Sequence, residues 1–121
     1  MANPSTTGPS GIGTEVLKRT FVDGANNTTA TMLTVGTDKI VTILSIVITE
    51  IGATSPRTLA ILVAPDGSGG NFLVRDTGSW TQNSTFIFSD KLVLTEGDVL
   101  KVESNSTNFD VYVSYIEQEF E

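Results

Sequence analysis

The stretch from Ile40 to Ile48, Ile-Val-Thr-Ile-Leu-Ser-Ile-Val-Ile, most narrows what this chain can fold into. It is rich in β-branched residues, which favour extended backbone. It is also apolar on both alternating faces: Ile40, Leu44, Ile46 and Ile48 on one, Val41, Ile43 and Val47 on the other. A strand with one wet face alternates apolar and polar. This strand therefore reads as covered on both sides. The second cover is either another layer of the chain's own fold or a neighbouring subunit, which points to a sheet protein that assembles.

The rest of the chain repeats the theme with shorter runs separated by turn clusters. Strands are expected near residues 15–22, 29–35, 39–51, 57–64, 71–76, 84–88, 91–94, 99–103 and 109–119. The breaks between them include Asp23-Gly24, Gly36-Thr37-Asp38, Thr54-Ser55-Pro56, Ser89-Asp90 and Glu96-Gly97-Asp98. These are residues that tolerate tight or left-handed backbone. Alternation marks Leu59, Ile61, Val63, Phe86, Phe88, Leu92, Leu94, Leu100, Val102, Val111, Val113 and Tyr115 as core. No segment carries a 3.6-residue apolar stripe. The expected fold is all-β: an antiparallel β-sandwich, jelly-roll-like, as one domain over residues 14–121. Residues 1–13, rich in Pro, Gly, Ser and Thr, read as a flexible N-terminal arm. With only Ile12 to bury, this arm is expected to order only against a neighbour.

Composition removes whole classes of function. The chain has no cysteine and no histidine. Thiolate nucleophiles, disulfides and thiolate metal sites are absent, and so are the commonest general base and metal ligand. Serines and threonines are numerous but have no histidine to activate them. The net charge of −7 makes nucleic acid and anionic membrane poor partners. No apolar run approaches the roughly 18 residues of a membrane span. The N-terminus does not read as a signal peptide, since it lacks a basic start and an apolar core. An enzyme is not expected, and neither is a cofactor or a bound metal.

Three features remain open to more than one reading. The Asp66–Asn71 run, Asp-Gly-Ser-Gly-Gly-Asn, reads as a hairpin connection; a phosphate loop would add a lysine and a following helix. Trp80 lies in a polar loop, where it can act as a lid, a subunit contact or a platform for a sugar ring. Glu117, Glu119 and Glu121 alternate, so an extended strand puts all three on one face. They are then a solvated tail, a match for a basic patch on a neighbour, or a metal site. The candidate interface is thus Ile12, Val41, Ile43, Val47, Trp80, Glu117, Glu119 and Glu121.

Phe72-Leu73-Val74-Arg75-Asp76, and then Lys91-Leu92-Val93-Leu94-Thr95-Glu96-Gly97-Asp98-Val99-Leu100-Lys101-Val102-Glu103-Ser104, resemble small β-sandwich virion proteins of tailed bacteriophages. So does the short strand, turn and long apolar strand of residues 31–51. The likeness spans roughly residues 15–116, and the polar 26–29 turn and the acidic tail depart from it. The resemblance implies a virion structural protein, expected as a capsid decoration (cement) subunit. It implies docking on the major capsid protein or another virion protein, and a homo-oligomer with a trimer favoured. The subunit would be made in the host cytoplasm and reside on the capsid surface. The alternative is a tail or fibre component that binds host-surface carbohydrate.

Overall fold

The computed structural model describes residues 14–25, 29–50, 58–67, 70, 72–76, 85–104 and 109–119. They form nine strands: β1 (Thr14–Ala25), β2 (Thr29–Thr34), β3 (Lys39–Glu50), β4 (Leu59–Ala64), β5 (Phe72–Asp76), β6 (Thr85–Phe88), β7 (Leu92–Thr95), β8 (Val99–Ser104) and β9 (Phe109–Glu119). One 3₁₀ turn, Pro65–Gly67, follows β4. Each expected strand is present within a few residues of its predicted bounds.

Two antiparallel sheets pack face to face. One runs β1-β9-β3-β6, with β7 also paired to β3; the other runs β2-β8-β4-β5. The pairings are nested: β1 with β9, β2 with β8, β3 with β6 and β7, and β4 with β5. The chain is thus a long hairpin folded at β4–β5 and wound so that successive pairs fall in alternate sheets. This is the jelly-roll solution, a double-sheet fold of Greek-key windings. β6 and β7 behave as one strand in two pieces, covering residues 46–49 and 40–43 of β3.

Between the sheets lies one apolar cluster that includes Met32, Val41, Ile43, Ile46, Ile48, Ile61, Leu94, Leu100, Val102, Phe109, Val111 and Val113. Burying each such side chain contributes about 1.5–3 kcal/mol. Phe88 and Val63 join them in the core, and Phe86, Leu92 and Tyr115 pack against it partly buried, as alternation predicted.

The long strand β3 corrects the opening expectation. Ile43 pairs with Tyr115 and Ser45 with Ser114, so Leu44 is an extra residue, a β-bulge. A bulge moves every later side chain to the other face. Val41 and Ile43 point into the core before it, and Ile46 and Ile48 after it; all four are at most 1% exposed. The apolar run on both parities is therefore largely one inward face that changes phase in mid-strand. Val41 and Ile43 cannot be interface residues, because the second sheet already covers them. Val47 alone of the three expected β3 contacts lies on the outer face.

One end of the sandwich is tied by three turns. Val35 N–H donates to the Asp98 carbonyl (2.9 Å), and Gly97 N–H to the Val35 carbonyl (3.0 Å). The Asp98 carboxylate accepts from the Thr95 N–H (2.9 Å) and the Asp66 N–H (3.0 Å). Gly97 has φ +86°, which strains any other side chain, and a Cβ there would lie a tight 3.3 Å from the Asp66 Cα. The glycine-rich stretch after Pro65 therefore begins as a connection docked on the β7–β8 turn.

A candidate assembly surface on the five-stranded sheet

The outer face of the β1-β9-β3-β6/β7 sheet can be built residue by residue from its register. Cross-strand partners share a face, and five rows result. Asp110, Thr49 and Thr85 make the first. Phe21, Tyr112, Val47 and Ile87 make the second. Arg19, Ser114 and Ser45 make the third. Leu17, Ile116, Thr42 and Val93 make the fourth, and Glu15, Gln118, Ile40 and Thr95 the fifth. The surface is ruled: polar, apolar, polar, apolar, polar.

The exposed large hydrophobic residues among those described are Leu17 (65%), Phe21 (54%), Ile87 (61%), Val93 (60%) and Tyr112 (42%). All of them fall in the two apolar rows of this one face. Scattered apolar residues on a surface are ordinary, but a set gathered on one face marks a candidate interaction site.

The aromatic pair is held in place. Phe21 and Tyr112 have ring centroids 6.3 Å apart and planes inclined by 16°. The Arg19 guanidinium lies 5.2 Å from the first ring centroid and 5.8 Å from the second, a cation–π arrangement. A shallow hollow of about 350 Å³ opens beside the rings, lined by Phe21, Val47, Thr49, Asp110 and Tyr112 among others. A second, of about 320 Å³, lies on the Arg19 side of Tyr112, against Leu17 and Ser114. Both outermost rows are tied internally: Thr49 and Thr85 hydroxyls are 3.1 Å apart, and Gln118 Nε2 donates to Glu15 at 2.9 Å.

The acidic tail is placed differently from the expectation that it faces a partner. Glu117 accepts from the Lys18 ammonium at 2.7 Å and lies 3.5 Å from the Lys39 ammonium. Burial pushes the Glu117 carboxyl up, but the Lys18 hydrogen bond and the two lysine charges outweigh it and hold the group below its usual range. The hydrogen bond to Glu117 raises the Lys18 ammonium in turn, against a smaller opposing effect of burial. Glu117 is therefore matched within its own chain. Glu119 is exposed at the end of β9, opposite Lys39 in register. Ile12, Trp80, Glu121 and the arm of residues 1–13 lie outside the described residues. Among the described residues no group of three His, Cys, Asp or Glu side chains could hold a metal ion.

Of the expected interface residues that are described, only Val47 sits in the apolar rows. Leu17, Phe21, Ile87, Val93 and Tyr112 were missed. Their one signal is parity: Ile87 and Val93 are apolar at the off-core position of their strands, beside the inward Phe86, Phe88, Leu92 and Leu94.

These features define an antiparallel jelly-roll sandwich with an apolar, partly aromatic outer face. No protein-family model matches the sequence, and the search of curated proteins gives no match. The fold is similar to that of a solved structure described as "Bacillus endospore appendages form a novel family of disulfide-linked pili". The TM-score is 0.54 at 13% identity, over 99% of this chain and 100% of that one. At that identity the likeness establishes the β-sandwich fold. Lower similarity is found to the CBM22-1–GH10 modules of a Clostridium thermocellum xylanase, with TM-score 0.43, 11% identity and coverage of 90% of this chain and 26% of that one. The Eiger TNF of S. frugiperda gives TM-score 0.41 at 11% identity, over 91% of this chain and 92% of that one. Neither of these two bears on function.

Proposed function

We propose that this chain is a structural subunit of a virion, a decoration or cement protein of the tailed-phage kind, with no catalytic role. It takes its place by burying the outer face of its five-stranded sheet against a neighbour in the particle. The observation that carries this reading is the gathering of the exposed large hydrophobic residues into two rows of one face. The absence of histidine and cysteine supports a non-catalytic role. The appendage protein of similar fold is described as building disulfide-linked pili. This chain has no cysteine, so an assembly of it is not linked by disulfides. Trp80, the tryptophan that could serve the carbohydrate alternative, lies outside the described residues.

The test is binding to particles that lack the protein. The wild type should bind at a fixed stoichiometry. Phe21→Asp and Ile87→Asp, folded by circular dichroism, should each lower occupancy. Equal occupancy by both variants would overturn the assigned face, and no binding by the wild type would overturn the structural role.

A further inference from the structure

We infer that the neighbour on this face is a second copy of the same chain, packed sheet on sheet about a two-fold axis parallel to the strands. The inference rests on the assembly reading above and names the occupant of the same surface.

An isologous interface must be complementary to itself. The five rows are symmetric about the middle one, Arg19–Ser114–Ser45. On β9 the outward residues run Asp110, Tyr112, Ser114, Ile116, Gln118; on β1 they run Phe21, Arg19, Leu17, Glu15. A two-fold axis along the strands or along the rows therefore lays apolar rows on apolar rows, with the Arg19 row between them and two hydrogen-bonded polar rows at the border. A polar rim is usual for such contacts.

Charge permits a copy of the chain here. The whole chain carries −7, so two copies repel. Among the described side chains of this face Glu15, Arg19 and Asp110 are charged, a formal sum of −1, so acidic copies meet here at little cost. The face measures roughly 26 Å along the strands and 19 Å across, on the order of 500 Å² in projection. That is below the ~800 Å² per partner of a standard stable interface and fits a weak, reversible pair.

The direction of the axis follows from Arg19. An axis along the rows would place Arg19 on Arg19 of the second copy, and like charges meeting at a contact are costly. An axis along the strands instead places β1 over β6 and β7 of the second copy. Phe21 then meets Ile87 of the second copy, and Leu17 meets Val93 of the second copy. Ile87 fills the hollow beside Phe21. Arg19 faces the Ser89–Lys91 connection of the second copy, which carries both Asp90 and Lys91, all exposed. The proposed arrangement is a two-fold pair, where the phage resemblance implied a trimer.

The cysteine-free chain makes the test clean, because any introduced thiol is the only one present. The wild type should sediment as a reversible dimer when concentrated to about 100 µM, by mass action. Phe21→Asp should weaken dimerisation by at least about tenfold, since an unpaired carboxylate would be buried. The double variant Phe21→Cys, Ile87→Cys should oxidise to a covalent dimer, while either single variant should cross-link poorly. A strict wild-type monomer would overturn the inference. Cross-linking by Phe21→Cys, Leu17→Cys and not by the Ile87 pair would overturn the axis. The two readings fail separately. A monomer that still decorates particles defeats the dimer and leaves the structural role, whereas a dimer that ignores particles does the reverse.

Discussion

Glu117 serves two lysines from the last strand, and its energetic weight is small but pH-dependent. Its folded pKa is lower than the ordinary 4.5, so its contribution is present above that value and is lost as pH falls through the folded pKa. Lys18 has a folded pKa above the ordinary 10.5, so its share is present below 10.5 and is lost as pH rises through the folded value. The pair therefore acts across the window between. Lys18 is 41% exposed and solvent screens it, so Glu117→Gln should cost less than about 1 kcal/mol at neutral pH. Urea denaturation at pH 7 and pH 3 checks this: the gap between variant and wild type should shrink at pH 3, and a constant gap would remove the ion pair as its cause. Asp98 carries more. Its carboxylate closes its own turn on Thr95 and docks the 3₁₀ turn through the Asp66 N–H. Asp98→Ala should cost about 1–3 kcal/mol by leaving those donors to water or to nothing, while Asp90→Ala, at an exposed bend, should change the denaturation midpoint little.

At the scale of the strand, the bulge at Leu44 decides which half of β3 faces where. Deleting Leu44 would leave Ile43 next to Ser45, already paired with the adjacent Tyr115 and Ser114, and would keep Ile46 and Ile48 inward. The deletion should therefore remove the bulge and be tolerated about as well as Leu44→Ala. Ile46→Ala should cost about 2–5 kcal/mol as a cavity in the core, and Val47→Ala well under that in the free subunit. Chemical denaturation of the four variants tests the assignment, and equal losses for Ile46 and Val47 would defeat it. This strand also shows how far the sequence could be read. Turn residues such as Glu96-Gly97-Asp98 announce themselves, because few side chains accept their backbone; Asp23-Gly24 misleads, since β1 runs through it to Ala25 with only a register shift after Val22. Alternation then places core residues from Ile61 to Val113. Leu44 carries no such signature: a leucine at a bulge looks like a leucine in a strand, and its position depends on the partner β9. The apolar rows were hidden for the same reason. Phe21, Tyr112, Val47 and Ile87 belong to four strands, and only the register brings them together.

At the scale of the whole molecule, burial and charge divide the work of association. The chain holds 14 acidic residues against 7 basic ones. Apolar area contributes about 25 cal/mol per Å², so a few hundred Å² outweighs exposed ion pairs worth roughly 0–1 kcal/mol each. Raising salt should leave dimer affinity equal or better, since it screens repulsion between acidic copies. Sedimentation at low and high salt checks this, and dissociation at high salt would show that ion pairs hold the contact. The nested pairing has a further consequence, for the order in which the subunit is made. Closing a loop costs entropy that grows with its length, and β1 and β9 are the most distant partners in the chain. Once β4 has met β5, each outer pair has little slack left to close, so we expect folding to run from the middle of the chain outwards. β1 then docks last, bringing Leu17 and Phe21. Pulsed hydrogen exchange should find β4, β5 and β8 amides protected before those of β1; simultaneous protection would refute the sequence of events. A subunit still missing β1 lacks Phe21 from one apolar row and Leu17 from the other, so maturation of the fold itself would time assembly, and incompletely folded copies would be left out.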